Sequence, residues 1–259
     1  MTNEIVAQLQ QSKKYRDLCD ETLKRMADWA LARYPNVKTA TKAAKRKLHQ
    51  VYGAYVGTTH VGRIDRLLDD LDIHDPKPVC ATILREHVSS AERLDFLADV
   101  FPVLWKITGR PTSVMDLACG LNPFAWPWMD LQGVRYDACD IDGQLIGCMQ
   151  RFFKQMHIYG TVSCGDVLVA VPAVKSDVVL LLKTVPCLEQ QEKGVGARIL
   201  QDLLVPHVIL SFPAQSLGGK NKGMVAHYDG VVRKMAHEGN RQIHTVSFPN
   251  ETFYVLTRL

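Results

Sequence analysis

Four predicted strands in this 259-residue chain are each followed by polar residues that could bind a ligand. Asp116 leads into the small-residue turn Ala118-Cys119-Gly120, and Asp140 ends the next strand. Asp166 follows the third strand, and Lys183 follows the fourth. In open parallel sheets, ligands bind beyond the carboxyl ends of the strands, where an acid can accept hydrogen bonds from ribose hydroxyls. The series predicts a site for a cofactor that contains a nucleoside, with Asp166 suited to the exocyclic amine of adenine.

Each of these signals also has a purely structural explanation. An aspartate at the end of a strand is commonly the N-cap of the next helix. The turn after Asp116 departs from the dinucleotide fingerprint Gly-x-Gly-x-x-Gly, because Gly120 is its only glycine, and this counts against NAD. The ordered series of acids at successive strand ends is stronger evidence for a nucleoside cofactor than any single acid.

Short apolar strands alternate with segments of helical length from Ser113 onward. The first five strands have helical connections, which indicates a parallel, doubly wound sheet. The last two are joined by a short turn at Pro249-Asn250 and are expected to pair antiparallel. This α/β layout of five parallel strands plus an antiparallel C-terminal hairpin is similar to the Rossmann-like sheet of class I SAM-dependent methyltransferases. The predicted strands are Ser113–Leu117, Arg135–Ile141, Thr161–Cys164, Val178–Leu182, His207–Phe212, Gln242–Ser247 and Phe253–Leu259.

The residues before the sheet have a helical pattern from Val6 to about Val56. The apolar spacing of a first helix is broken between Ser12 and Arg16. A second helix has Asp20 as its predicted N-cap and is ended by Pro35, and a third begins near Thr39. These segments predict a compact N-terminal helical module.

Two more helical segments are predicted between this module and the sheet. Apolar residues at helical spacing run from Ile64 to Leu71 and again from Thr82 to Val100. We place a domain boundary after residue 76. Residues 1–76 then form an N-terminal helical domain, and residues 77–259 form the domain that contains the sheet.

The positive charge of the chain is concentrated at its N-terminal end. Up to Arg63 there are 12 Lys and Arg against 5 Asp and Glu, a balance of +7 in a chain whose net charge is +4. Four of these cations, at positions 38, 42, 45 and 46, share one helix face. The asymmetry indicates a polyanionic partner that contacts this end, although an ordinary solvated helix face would give the same pattern.

Composition excludes several classes of protein. No apolar run approaches the roughly 20 residues that cross a bilayer, and the N-terminus lacks the layout of a signal peptide. The 7 Cys form no Cys-x-x-Cys pair, which is typical of reduced thiols in a cytoplasmic protein and not of a disulfide framework or zinc site. We expect a cytoplasmic monomer with no bound metal and no membrane contact.

The chain resembles the 16S rRNA (guanine(1405)-N(7))-methyltransferases of aminoglycoside resistance, the Arm/Rmt type. The Cys-Gly-Leu-Asn-Pro turn and the Ser-Phe-Pro run that continues to Lys-Gly-Met are its most specific matches. The matching stretches extend through nearly the whole chain and are Ser12–Tyr15, Lys47–Gln50, Gly53–Tyr55, Ser89–Arg93, Asp116–Pro123, Asp140–Asp142, Leu181–Lys183, Leu188–Gln191, Ser211–Pro213, Ser216–Lys220 and Lys222–Met224.

The resemblance implies S-adenosyl-L-methionine (SAM) as cofactor. Arg93 would face the methionine carboxylate, Asp140 the ribose and Asp166 the adenine. Without the resemblance, we would interpret Arg93 as a surface arginine and His87 as a structural histidine. The implied cofactor-binding residues are Tyr55, His87, Ser89, Arg93, Ala118, Gly120, Asp140, Asp166, Val167, Leu182 and Gln191.

The resemblance also implies the assembled 30S subunit, through its 16S rRNA, as substrate. Guanine N7 has a free lone pair, so we assign no acid–base residue, and catalysis would rest on alignment in a preorganised site. The expected contacts with the rRNA backbone are made by Lys13, Lys14, Arg16, Lys42, Lys45 and Arg46. The residues expected near a flipped guanine or its phosphates are Lys183, Ser211, Lys220 and Lys222.

Two other functions fit the same pattern. A small-molecule SAM methyltransferase with a helical lid would have the same sheet. A non-catalytic RNA-binding protein could have kept a methyltransferase fold, although the strand-end acids argue against it.

Overall fold

The computed structural model describes residues 1–51, 61–173, 175–214 and 224–259 of the chain. Helices α1 (Thr2–Gln10), α2 (Asp20–Leu31) and α3 (Val37–Val51) form the N-terminal module. They enclose an apolar core of their own, which includes Leu9 and Leu48. The three-helix module predicted before the sheet is therefore present.

Two details of the helix ends differ from the prediction. Asp20 is the first residue of α2, and Cys19, with an extended backbone, occupies the N-cap. Asp20 instead places its charge in the first turn, where it favours the positive end of the helix dipole. Helix α3 begins two residues before Thr39, because the Oδ1 atom of Asn36 accepts hydrogen bonds from the backbone N–H groups of residues 38 and 39.

The segment between the module and the sheet contains α4 (Val61–Leu67), a 3₁₀ turn at Leu68–Asp70, α5 (Lys77–Leu84) and α6 (Val88–Ala91). A second 3₁₀ turn at Leu94–Phe96 leads into α7 (Leu97–Thr108). The prediction of one helical stretch from Thr82 to Val100 was therefore wrong. His87 has an extended backbone, and Ser90 Oγ donates to the carbonyl oxygen of Leu84 at 2.7 Å, which ends α5 and starts a new turn.

Ile64 and Leu68 lie in the same apolar core as α5 and α7. The helix at 61–67 thus packs against the body that contains the sheet, and the domain boundary after residue 76 stays a prediction.

The sheet has seven described strands in the order β3-β2-β1-β4-β5-β7-β6. The first five strands of the chain pair in parallel, and β7 pairs antiparallel with both β5 and β6. The predicted fold class is confirmed. The strands are β1 (Ser113–Leu117), β2 (Arg135–Asp140), β3 (Val162–Cys164), β4 (Val178–Leu182), β5 (His207–Pro213), β6 (Arg241–Ser247) and β7 (Glu251–Arg258).

Helices cover both faces of the sheet. One apolar core joins it to α4, α5, α7, α8 (Gly143–Gln155) and a 3₁₀ turn at Asn122–Trp128. The other joins it to α9 (Val185–Glu189), α10 (Val195–Asp202) and α11 (Met224–Glu238). Among the described helices, none combines the length and the apolarity needed to cross a membrane.

The strand order changes direction between β1 and β4, which are neighbours in the sheet although two strands separate them in the chain. Connections leave these two strands toward opposite sides, so a crevice opens beyond their carboxyl ends. This switch point is where a ligand of the sheet is expected.

Candidate active site

The turns that follow β1 and β4 have unusual backbone conformations. Ala118, Gly120 and Lys183 all have positive φ angles, of 49°, 52° and 54°. A side chain in this left-handed region costs roughly 1–2 kcal/mol, and such strain is concentrated at functional sites. The Oγ1 atom of Thr184 donates to the carbonyl oxygen of Leu182 at 3.0 Å and lies 3.5 Å from that of Ala118, so the two turns are adjacent. The crevice is thus lined by backbone held in a fixed, strained shape.

Asp140, at the end of β2, fixes the shape of the turn after β1. One carboxylate oxygen accepts a hydrogen bond from the backbone N–H of Gly120 at 2.9 Å, and the other accepts one from that of Asp142 at 3.2 Å. Burial raises the pKa of Asp140, and these two hydrogen bonds oppose that rise. Each carboxylate oxygen has a further lone pair for a ligand hydroxyl.

Asp142, two residues later, is the N-cap of α8. Its Oδ1 atom accepts hydrogen bonds from the N–H groups of Gln144 at 3.0 Å and Leu145 at 3.2 Å. The helix-cap explanation for a strand-end acid therefore applies to Asp142. It does not apply to Asp140, for which the ligand-binding explanation remains.

Asp116 is completely buried beneath the turn. Its Oδ2 atom accepts hydrogen bonds from Asn122 Nδ2 at 2.7 Å and from the Tyr136 hydroxyl at 2.6 Å. Burial raises the pKa of this carboxyl to about 7, although both hydrogen bonds lower it. The Oδ1 atom has no hydrogen-bond partner among the described residues, so one buried acceptor remains open under the crevice.

Arg93 is buried beside the same turn. Its Nε and Nη2 atoms donate to the two carboxylate oxygens of Glu251 at 3.0 and 2.6 Å, and Nη1 donates to Asn122 Oδ1 at 2.9 Å. Glu251 has no exposed surface. A guanidinium has further N–H donors beyond these contacts, so Arg93 can still bind an anion in the crevice. Sequence reasoning missed Glu251, because no local pattern links it to Arg93.

Lys183 brings a second cation to this cluster. Its ammonium donates to Glu92 at 2.7 Å and to the carbonyl oxygen of Ser89 at 3.3 Å, and it lies 3.6 Å from Glu251. The Ser89 hydroxyl and His87 Nδ1 are 2.7 Å apart. Burial lowers the pKa of His87, and the charge of Lys183 lowers it further, although the charge of Glu92 opposes this.

The far end of the crevice holds Asp166 and Gln191, which α2 contacts directly. Arg25 Nε and Nη2 donate to Asp166 Oδ2 at 2.9 and 2.8 Å, and Nη2 also donates to Gln191 Oε1 at 3.1 Å. The Thr22 hydroxyl donates to the same Asp166 oxygen at 2.8 Å. Neither α2 residue was predicted as part of the site. Thr22 and Arg25 are three positions apart on one helix, but the sequence does not indicate what that face of the helix contacts.

Three more predicted site residues have supporting positions. Val167 is buried in the core on the α10 side of the sheet, and Leu182 is half-buried at the end of β4. Ser211 is completely buried, and its Oγ atom accepts a hydrogen bond from the backbone N–H of Lys183 at 2.9 Å. Ser211 thus helps to hold the left-handed turn after β4.

The predicted basic residues lie together on the N-terminal module. Lys14 donates to His49 Nδ1 at 2.9 Å, and the Tyr15 hydroxyl donates to the carbonyl oxygen of Lys45 at 3.2 Å, so the loop at 12–16 is attached to α3. We call the resulting surface the basic face. Its members are Lys13, Lys14, Arg16, Lys42 and Arg46, which are exposed, and Lys45, which is half-buried.

Three predicted residues, Tyr55, Lys220 and Lys222, lie outside the described part of the chain. Around the crevice, Arg93 and Lys183 are paired with Glu251 and Glu92, and Asp166 is paired with Arg25. Asp140 bonds the backbone N–H of Gly120.

The shape and chemistry of this crevice fit a nucleoside cofactor that also carries an amino acid. Apart from its chain neighbours, no described atom lies within 4 Å of where a side chain of Gly120 would begin, so a ligand can approach the backbone there. The open Oδ1 acceptor of Asp116 lies beneath that turn. Acids suit hydroxyl and amine donors, and Arg93 suits a carboxylate.

Comparison with known proteins identifies the family. The family model for "Ribosomal RNA methyltransferase (FmrO)" matches residues 11–255. A Micromonospora echinospora protein named 16S rRNA (guanine(1405)-N(7))-methyltransferase is 35% identical over 255 residues, which cover 95% of this chain and 93% of that protein. A Proteus mirabilis protein of the same name is 28% identical and covers 99% of this chain and 97% of its own length.

Solved structures agree in fold over the full length. The 16S rRNA methyltransferase RmtF, solved in complex with S-adenosyl-L-homocysteine, has a TM-score of 0.87 at 28% identity, covering 100% of this chain and 98% of that one. An rRNA methylase from Escherichia coli has a TM-score of 0.84 at 26% identity, with 100% of both chains covered. The chain belongs to the FmrO family of ribosomal RNA methyltransferases.

Proposed function

We propose that this protein uses SAM to methylate N7 of guanine 1405 in the 16S rRNA of the assembled small ribosomal subunit, and so confers aminoglycoside resistance. The proposal is supported by the switch point between β1 and β4. Beside it Asp140 bonds Gly120, and Arg93 bonds Asn122 in the same turn region. Asp166 follows β3 and is held by α2. Relatives named for this reaction match nearly the whole chain. We further propose that the enzyme acts in the cytoplasm as a monomer.

The residues around the crevice are assigned to three parts of the cofactor, which are the methionine, the ribose and the adenine. Arg93 binds the methionine carboxylate through the N–H groups that Glu251 and Asn122 leave open, beside His87 and Ser89. The turn at Ala118 and Gly120 passes beside the methionine. Asp140 accepts hydrogen bonds from the ribose hydroxyls, and Asp166 accepts one from adenine, with Val167, Leu182 and Gln191 around the base. Tyr55 is assigned to the same pocket on the resemblance alone.

The cofactor supplies a methyl group that its sulfonium already activates. Guanine N7 is a lone-pair donor at neutral pH, so the chain needs no general base. Its residues act by alignment, which is worth several kcal/mol when the reacting groups are held in a near-attack geometry. The ammonium of Lys183 is already bonded to Glu92 and Ser89, which is consistent with a site that positions its ligands.

The RNA side of the reaction is assigned to the basic face. Its exposed cations suit the phosphates of folded rRNA, which is recognised mainly through shape and backbone. Lys183 lies near Arg93, and its backbone N–H donates to Ser211 Oγ. We assign the entry of a flipped guanine to this end of the crevice. Lys220 and Lys222 are assigned to the same region on the resemblance alone.

The test is methylation of purified small subunits with SAM labelled in its methyl group. Reduction and strand scission at 7-methylguanosine, followed by primer extension, would locate the modified base. The proposal predicts a single stop at guanine 1405. Labelling of another base, or of free 16S rRNA in preference to the assembled subunit, would contradict the substrate assignment. Transfer to a metabolite but not to subunits would favour a small-molecule methyltransferase, and the absence of SAM binding would favour a non-catalytic RNA-binding protein.

A further inference from the structure

One guanidinium of the N-terminal module holds two residues of the cofactor crevice. Arg25 on α2 bonds Asp166, which follows β3, and Gln191, which follows α9, through a single Nη2 atom. These two residues are the polar side chains at the adenine end of the proposed pocket. Their relative position therefore depends on a residue that is more than 140 positions away from either in the sequence.

Asp166 is unusually constrained for a residue that is to bind a ligand. Its Oδ2 atom accepts three hydrogen bonds, two from Arg25 and one from Thr22, and its Oδ1 atom accepts one from the backbone N–H of Leu168 at 2.9 Å. The side chain is only 3% exposed. Without the guanidinium this carboxylate would be buried without its counter-charge, which favours a turn of the side chain toward water.

The N-terminal module is also attached beside the ribose acid. Leu18 forms an antiparallel bridge with Asp142, and the backbone N–H of Cys19 donates to Ile141 at 2.9 Å. Gly143 N–H donates to the Asp17 carbonyl at 2.7 Å. The module thus contacts the segments that follow both β2 and β3. The shape of the adenine and ribose subsites therefore depends on how the module is docked.

We propose that Arg25 is a positioning residue for the adenine subsite, which orients Asp166 and Gln191 and so makes recognition of the adenine amine depend on the docked N-terminal module. In this role Arg25 acts on the adenine subsite through Asp166 and Gln191. It supplies the counter-charge of Asp166 and the N–H donors that fix the direction of this carboxylate. This inference rests on the proposed function, because it assumes that Asp166 accepts a hydrogen bond from adenine.

The test compares two ligands on the full-length protein by calorimetry. The first is S-adenosylhomocysteine, and the second is its deaminated analogue, S-inosylhomocysteine, in which a carbonyl oxygen replaces the exocyclic amine. The wild type should bind the adenosyl ligand at least about tenfold more tightly, because an oxygen acceptor at Asp166 pairs with the amine but opposes a carbonyl. Arg25→Gln should weaken binding of the adenosyl ligand by about tenfold or more, and the ratio of the two affinities should approach one.

Two further variants separate positioning from folding. Arg25→Lys keeps the charge without the fork and should restore part of the discrimination. Thr22→Val removes one hydroxyl donor at constant size and should reduce the ratio by about threefold to tenfold. Lys24→Gln is the matched control, since it removes a neighbouring exposed cation from α2 and should leave both affinities unchanged.

The outcomes are distinct. If Arg25→Gln weakened both ligands equally, with the wild-type ratio retained in this variant and in Thr22→Val, the role of Arg25 would be only structural and the inference would be overturned. Unchanged affinities in both variants would overturn it as well. Failure of the wild type to bind S-adenosylhomocysteine would instead overturn the proposed function.

Discussion

Arg93 and Glu251 form a bidentate ion pair across 158 positions of sequence, with side chains that are only 5% and 0% exposed. Glu251 opens β7, and Arg93 precedes the 3₁₀ turn before α7. The pair therefore attaches the C-terminal hairpin to the helices in front of the sheet. It also leaves Arg93 with a fixed direction toward the turn after β1.

Glu251→Gln should destabilise the fold substantially. The substitution keeps the size of the side chain but leaves the Arg93 guanidinium buried without its counter-charge, which costs about 3–5 kcal/mol of the free energy of unfolding. Urea unfolding would measure the loss. The control is Glu192→Gln, which removes the exposed ion pair with Arg198 and should cost less than about 1 kcal/mol. Equal losses in the two variants would show that burial of the first pair has no energetic consequence.

Asp140→Ala should abolish detectable SAM binding. It removes the proposed acceptor of two ribose hydroxyls, each worth about 1.5–3 kcal/mol as a charge-assisted hydrogen bond, and it frees the Gly120 N–H. Calorimetry with SAM would measure the change. Asp142→Ala is the matched control, because its side chain accepts hydrogen bonds from the start of α8 and this N-cap contributes about 1 kcal/mol to stability. Normal SAM affinity in Asp140→Ala would show that the ribose subsite is assigned incorrectly.

Asp116 should make the stability of the fold decrease as the pH rises from about 4 to about 7. Burial raises the pKa of this carboxyl from 3.8 to about 7, so over this interval the folded chain holds a proton that the unfolded chain has released. The free energy of unfolding then falls by about 1.4 kcal/mol per pH unit from this group alone. Asp116→Asn cannot ionise and should lack that contribution.

Urea unfolding of both proteins at several pH values between about 5 and 7 would test the Asp116 prediction. The wild type should lose stability relative to the variant as the pH increases. Parallel curves for the two proteins would mean that the carboxyl has an ordinary pKa in the folded state.

Lys45→Ala combined with Arg46→Ala should weaken binding to the small subunit and leave SAM affinity unchanged. Each lost phosphate contact should also reduce the slope of log affinity against log salt by about 0.9. Binding titrations at several salt concentrations would measure both effects. Lys106→Ala with Arg110→Ala removes the same charge from exposed positions just before the amino end of β1, at the opposite edge from the crevice, and serves as the control. If the control weakened binding as much, general charge and not the basic face would attract the subunit.

The sheet could be predicted from sequence because its strands are short apolar runs separated by clear helical segments and turns. Every predicted strand is present, and the first differs in no residue from β1. The start of β7 was placed two residues late, since hydrophobic patterning cannot place a buried glutamate in a strand when its partner Arg93 is distant in sequence. The single helical stretch predicted around Ser90 failed because a side-chain hydrogen bond to Leu84 ends the helix.

The acids of the crevice were found from their positions at strand ends, which is a local rule. The residues that hold them were not. Arg25 and Thr22 were visible only as part of a basic, helical N-terminal module, and the strained conformation of Lys183 had no sequence signal, because it is not glycine. Contacts that join distant segments depend on how the module docks, and a single sequence carries no information about that orientation.

The attachment of the N-terminal module also limits how relatives can be recombined. A hybrid that takes residues 1–51 from one relative and the sheet from another combines Arg25 and Leu18 of one parent with Asp166 and Asp142 of the other. Where the parents differ at these positions, we expect a defective nucleotide end even though the N-terminal module keeps its own core. Functional chimeras of this family should instead exchange the whole N-terminal module together with the loops that follow β2 and β3, as one inherited block.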